Sequence, residues 1–169
     1  MATVSELKKA SLFESLSDDE LEAIIQLGQE ESFEPHENIF NHGQKAKTLY
    51  VLLDGSVSLR IKAEVGIDLM AETMEKKGSV VGTPALVKPY IHNVTAKCTK
   101  STKVLAIDAV GLRKIMRRHP SIGFEVMTQL ARLYFSRLNS TRMAITNLFK
   151  IFKLQTDKSK VFDTYGELE

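Results

Sequence analysis

"NHGQKAKTLYVLLDGSVSLRI", residues 41–61, holds two unlike apolar patterns on either side of one turn. Leu49, Tyr50, Val51, Leu52 and Leu53 form an unbroken apolar run, the pattern of a strand covered on both faces. Asp54-Gly55 stops it, and Val57, Leu59 and Ile61 then alternate with Ser56, Ser58, Arg60 and Lys62. Period two is the mark of a half-buried strand, so the stretch predicts a central strand, a tight turn and an antiparallel neighbour. The alternation returns in Ile67, Leu69 and Ala71 against Asp68, Met70 and Glu72, and again in Val94, Ala96 and Cys98. Lys103 to Ile107 makes a last short strand. Several short strands with Gly, Asn or Asp turns between them predict a closed antiparallel roll, of jelly-roll or cupin-like form.

Helices flank this region. Ser17 is a helix N-cap, Glu20 completes a capping box, and Leu16 and Leu21 are spaced as a hydrophobic staple, so a helix is expected from Ser17 to about Leu27, ending near Gly28. From Ala109 the helical period returns and runs to about Arg118; Pro120 restarts it, and a longer helix is expected over about 120–153. Along that helix Met127, Ala131, Tyr134, Leu138, Thr141, Ile145, Leu148 and Phe152 recur alternately four and three apart, a heptad seam. Its length exceeds what a small roll can cover, which predicts a parallel homodimer; the alternative is a helix folded back on its own roll. The expected fold class is mainly β with helices: one domain over 1–153, its dimer helix included, then a polar tail over 154–169. Val161, Phe162 and Tyr165 are the tail's apolar residues.

A chain of 169 residues supports one core of ordinary size, and 43% hydrophobic with 26% charged residues is a globular composition. With 23 basic and 21 acidic residues the net charge is +2, too balanced for long-range attraction to nucleic acid or anionic lipid. No export segment is read at the start, and no run of about 18 apolar residues occurs. Cys98 is the single cysteine, which rules out an internal disulfide. A cytoplasmic protein that does not enter the membrane is expected.

Local residues add a resemblance. "LFESLSDDELEAI" (12–24) is similar to the first helix of the cyclic-nucleotide-binding domain in the catabolite-activator family, and Gly43, Tyr50 and Gly55 stand where that family's pattern places a glycine turn, an aromatic-led strand and a second glycine. "GSVVGTPALVKPYIHNVTAKC" (78–98) falls where the family carries its phosphate-binding cassette, and the likeness spans about Leu12 to Phe152. The resemblance implies a non-catalytic regulatory sensor for cyclic AMP or cyclic GMP, without a resident cofactor, signalling through the dimer helix. In such cassettes a short helix offers backbone N–H groups to the cyclic phosphate, an arginine supplies countercharge, and a glutamate accepts from the ribose.

The cassette here departs from that recipe. Against the family's Phe-Gly-Glu-Leu-Ala-Leu, the residues Val81-Gly82-Thr83-Pro84-Ala85-Leu86 keep Gly82, Ala85 and Leu86 but put Thr83 in the glutamate's place. With Pro84 at the first helical position, Thr83 is the expected N-cap, its hydroxyl taking the N–H of Ala85 or Leu86. The family's Pro-Arg pair reads Pro89-Tyr90, so the countercharge is lost, at a cost of roughly several kcal/mol for an enclosed anion. His92 shares strand parity with Tyr90, Val94 and Ala96 and is the substitute facing inward, the plainer role being a hydrogen-bonded core histidine. Lys88 is expected in solvent, and Arg137 and Asn139 are placed to reach a ligand from the long helix. The candidate ligand-binding set is therefore Gly82, Thr83, Ala85, Leu86, Tyr90, His92 and Arg137.

Other classes fit less well. His36, His42, His92 and His119 never pair at a cupin metal spacing, and no Gly-x-Ser-x-Gly, His-Glu-x-x-His or Walker loop occurs, so neither catalysis nor a metal is expected. The tail is too short for a helix-turn-helix module, so DNA binding by this chain alone is not expected. Arg113, Lys114, Arg117, Arg118 and His119 read as a solvated basic helix face. A protein-interaction scaffold whose pocket takes no cyclic nucleotide is the competing reading, with the tail and the long helix docking on a partner protein.

Overall fold

The computed structural model describes residues 2–62 and 68–163, with side chains over 2–61 and 72–152. Two short helices come first, α1 (Val4–Leu7) and α2 (Asp18–Ile25). Eight strands follow: β1 (Gly28–Phe33), β2 (Asn38–Phe40), β3 (Thr48–Asp54), β4 (Val57–Lys62), β5 (Asp68–Met74), β6 (Val80–Val81), β7 (Thr95–Cys98) and β8 (Thr102–Asp108). A 3-10 turn (Thr83–Leu86) stands between β6 and β7, and α3 (Ala109–Arg118) and α4 (Pro120–Asp163) close the chain. The strands make two four-stranded antiparallel sheets, ordered β1-β8-β3-β6 and β2-β7-β4-β5. This is the expected roll between an N-terminal helix and a long C-terminal one.

The chain divides into two units, Met1–Leu130 and Ala131–Glu169. In the first, the capping box is present as read: Ser17 accepts from the Glu20 N–H, and the Glu20 carboxylate accepts from the Ser17 N–H at 2.9 Å. Leu16 and Leu21 are both buried. Thr3 and Glu6 form a second box on α1, a helix that the apolar pattern did not announce.

The unbroken run in β3 has the predicted cause. Leu49, Val51 and Leu53 belong to a core shared with Leu21, Ile24, Leu112, Ile122 and Val126 of the helices. On the opposite face Leu52 joins Val57, Leu59, Ala96 and Val104 in a second core between the sheets. Burying one such leucine removes enough apolar surface to stabilise the fold by about 1.5–3 kcal/mol. A core on each face reserves the middle of the strand, residues 49–53, for apolar and aromatic side chains and leaves Thr48 and Asp54 to its ends.

Three expectations are corrected. Ile61 does not follow Val57 and Leu59 inward but is 46% exposed. β4 pairs with β7 only as far as Arg60 opposite Thr95, so Ile61 runs past the end of that neighbour. Ser56 and Ser58, read as the wet face, are fully buried. Ser56 is held by Thr99 and Thr102, whose hydroxyls lie 2.7 Å from its Oγ and 3.2 Å from its carbonyl. Finally, α4 does not stop near 153 but stays helical to Asp163, into the segment read as a polar tail. The side chains of Val161 and Phe162, Tyr165, and the alternation at Ile67, Leu69 and Ala71 lie outside the described residues.

Of the seam residues in the second unit, Tyr134, Leu138, Ile145, Leu148 and Phe152 are all exposed, from 38% to 65%. Phe135, Phe149 and Ile151 widen this apolar strip. Met127, in the first unit, is exposed as well.

Candidate functional site

The cassette leaves β6 at Gly82, whose φ of +80 is a left-handed conformation that costs an L side chain about 1–2 kcal/mol. That reversal starts the 3-10 turn, in which the Ala85 N–H bonds to the Gly82 carbonyl at 2.9 Å. The N-cap position therefore belongs to Gly82, without a side-chain cap, and not to Thr83, which is the first residue inside the turn and buried. The expectation that Thr83 is the N-cap is corrected: left-handed backbone at Gly82 moved the start of the turn one residue back. Because Pro84 has no N–H and the Ala85 N–H is used within the turn, two of the first three turn residues offer no donor to an anion.

Ala85 and Leu86 are packing residues. Ala85 is fully buried with Ala46 and Ala109, and Leu86 joins the core of the helical layer. The turn is thus seated on the first residue of α3.

After a cis Lys88-Pro89 bond the chain runs antiparallel to the 43–46 loop rather than into regular strand. Gly43 donates to the His92 carbonyl (2.8 Å), His92 to the Gln44 carbonyl (2.9 Å), and Ala46 to the Tyr90 carbonyl (2.8 Å). These bonds hold the return of the cassette against the loop before β3.

Tyr90 and His92 share parity in the sequence yet part company here. Tyr90 has φ +59, a conformation uncommon for a bulky residue. Its ring lies under Arg113 of α3, the guanidinium carbon 4.3 Å from the ring centroid. His92 turns into the roll and is 3% exposed, its ring stacked on Phe40 at 3.7 Å with an 8° interplanar angle. Phe40 stacks in turn on Tyr50. The His92 Nδ1 is buried without a hydrogen-bond partner, so the plainer expectation of a hydrogen-bonded core histidine is not met at that atom. Burial holds the His92 pKa below the ordinary imidazole value and favours the neutral ring.

Lys88 is exposed, as expected. Arg137 lies on α4 in the second unit and is half-buried there, while Asn139 is exposed. The seven candidates thus divide: Gly82, Thr83, Ala85, Leu86, Tyr90 and His92 stand along one cassette, and Arg137 belongs to the other unit.

Sequence reasoning missed Arg113, placed among solvated basic residues. It is half-buried, and its Nη1 donates to the Ala85 carbonyl, whereas Lys114, Arg117 and Arg118 are exposed. The signal was available in the helical period: Leu112 and Arg113 stand three and four residues after Ala109, on the same side of the helix, and Ala109 and Leu112 are fully buried.

Comparison with known proteins agrees with this architecture. A Geobacter metallireducens protein provisionally named a cyclic nucleotide-binding protein has a similar structure, with a TM-score of 0.71 and 28% identity, covering 82% of this chain and 99% of its own. Among curated sequences, a Rhodopseudomonas palustris protein provisionally named a potassium channel is 27% identical over 122 residues, 72% of this chain. The cAMP-activated global transcriptional regulator CRP of Pasteurella multocida is 28% identical over 111 residues, 65% of this chain. The chain spans only 29% and 51% of these two relatives. Residues 30–119, the roll with its cassette and α3, match the family described as cyclic nucleotide-binding domain, and the chain belongs to that family.

Proposed function

We propose that this chain is a non-catalytic regulatory sensor that takes its ligand in the roll beside the cassette and signals through α4 paired with a second copy. The observation that carries the ligand reading is His92: a polar ring inside an apolar core, against Phe40, with Nδ1 unpartnered. A buried unpaired polar atom costs about 1–3 kcal/mol, and a ligand atom bonded to it recovers that cost. The ring's Cε1 comes within 3.6 Å of where a Cβ on Gly82 would stand, so this atom group borders the start of the cassette. Cyclic AMP and cyclic GMP are the first ligands to test, with Gly82, Thr83, Ala85 and Leu86 shaping the cassette and His92 facing the phosphate.

The dimer reading is supported by the apolar strip of α4, where Leu138, Ile145, Leu148 and Phe152 are about half exposed or more. Apolar residues on a heptad repeat bury one another when two helices supercoil. No helix among the described residues is long and apolar enough to cross a membrane. That fits a regulator working in the cytoplasm.

A second reading has its own observation. Tyr90 carries no charge and serves Arg113, and Pro84 removes a cassette donor, which favours a scaffold that takes no cyclic nucleotide and docks on a partner protein. Calorimetric titration of the full chain with cyclic AMP and cyclic GMP, at one pH above and one below the histidine range, separates the two. Micromolar affinity that strengthens at the lower pH is the expected result, because an anion favours the protonated His92. No heat at millimolar nucleotide refutes the sensor reading for both nucleotides and leaves the scaffold.

A further inference from the structure

We propose that Arg113 is the positioning residue of the cassette, fastening it to α3 through two contacts: a stack on Tyr90 and a hydrogen bond to the Ala85 carbonyl. The inference rests on reading residues 82–92 as the ligand-binding cassette, and its test does not require that a nucleotide bind.

The two contacts grip the cassette at both ends of its irregular part. Ala85 lies near the C-terminal end of the 3-10 turn, where carbonyls run out of partners within the turn. A guanidinium donating there completes the turn's hydrogen bonding and meets the negative end of its peptide dipoles. Tyr90, five residues on, presents its ring face to the same guanidinium at 4.3 Å, inside the range of a cation–π contact. Both Arg113 and Tyr90 are half-buried, and partial desolvation strengthens such a contact.

The backbone around Tyr90 points the same way. Its left-handed φ is a local strain that must be held by its surroundings, and it turns the ring toward α3 while His92 turns into the roll. Two hydrogen bonds hold the Tyr90 backbone, from its N–H to the Val87 carbonyl (3.0 Å) and from the Ala46 N–H to its carbonyl (2.8 Å). The ring is fixed by Arg113.

The other end of the fastening is equally well anchored. Asp108 caps α3 by accepting from the Val110 and Gly111 N–H groups at 3.3 and 2.7 Å. Ala109 donates to the Lys47 carbonyl at 3.0 Å and packs on Ala85. Arg113 is one turn further along the same helix. A displacement of the cassette by a ligand therefore has to move α3 or break both Arg113 contacts, which makes this residue a polar link, beside the Ala85 and Leu86 packing, through which the site reaches the helical layer.

Hydrogen exchange of the full chain, read by mass spectrometry, tests this. Arg113→Met keeps an unbranched stem and removes the cation and its donors; Tyr90→Leu removes the ring. Each is expected to raise exchange in peptides covering 83–92 on the order of tenfold, the size of one partly desolvated cation–π contact, and to leave β4 and β7 unchanged. Tyr90→Phe keeps the ring face and retains wild-type exchange. The double variant is expected to be no leakier than Arg113→Met. Wild-type exchange over 83–92 in Arg113→Met overturns the proposal; so does a uniform rise across the roll, or a Tyr90→Phe variant as leaky as Tyr90→Leu. Titration with cyclic AMP is a separate readout: its failure counts against the nucleotide reading and leaves the exchange result standing.

Discussion

Replacing Gly82 by alanine separates two costs at the start of the cassette, because Gly43 supplies a matched control. Gly82 has φ +80, and a Cβ there would lie 2.8 Å from the Thr48 carbonyl oxygen and 3.3 Å from Tyr50 Cδ2. Gly43 has almost the same φ, +83, with nothing within 4 Å of an added Cβ. Gly43→Ala therefore measures the conformational cost alone, about 1–2 kcal/mol, less about 0.4–1 kcal/mol from the lower entropy of the unfolded chain. The net is about 1 kcal/mol. Gly82→Ala adds a clash with a backbone oxygen that cannot rotate away, about 1–3 kcal/mol for such overpacking, and reaches about 2–4 kcal/mol in all. Urea unfolding followed by circular dichroism measures both, with an unchanged m value showing that midpoint shifts report stability. If the two variants agree within about 0.5 kcal/mol, the ordinary error of such comparisons, the Thr48 contact is not what reserves position 82 for glycine.

Three further outcomes are expected. His92 is held neutral by burial, so its folded pKa lies below its unfolded one; the unfolded chain takes up the proton first, and stability falls as pH drops below about 6.5, by at most about 1.4 kcal/mol per unit. Urea midpoints across the histidine range check this, and His92→Phe should flatten the slope. Leu138→Asp or Ile145→Asp places a charge on the exposed strip of α4 and is expected to weaken self-association by about 100-fold or more in sedimentation, without moving the roll's unfolding midpoint; an unchanged mass refutes the dimer. Asp108→Ala removes the cap on α3 and should cost about 1 kcal/mol in the same urea assay.

Much of the fold was legible in the chain because the deciding interactions are between near neighbours. Capping at Ser17 joins residues three apart, the two-sided burial of β3 is written in five consecutive apolar residues, and the seam of α4 follows from a heptad repeat. Only the inward half of the alternation was legible: Val57 and Leu59 face inward as read, Ser58 is buried on the other face although both neighbours continue beside it, and Ile61 fails because β7 has already ended. The length of β7 is not a local property of β4.

The cassette was legible as a segment, since Gly82, Ala85, Leu86 and the Pro89-Tyr90 pair stand in a recognisable order. How its side chains are used was decided by contacts across the fold. One backbone torsion at Tyr90 broke the strand parity that would have sent Tyr90 and His92 the same way. Another at Gly82 moved the start of the turn away from Thr83. Arg113, far along the chain from Ala85, reaches it only because closing the roll brings α3 against the 3-10 turn. Periodicity reports which face of an element is apolar; it does not report which distant element covers that face, and a half-buried arginine looks like a solvated one until its partner arrives.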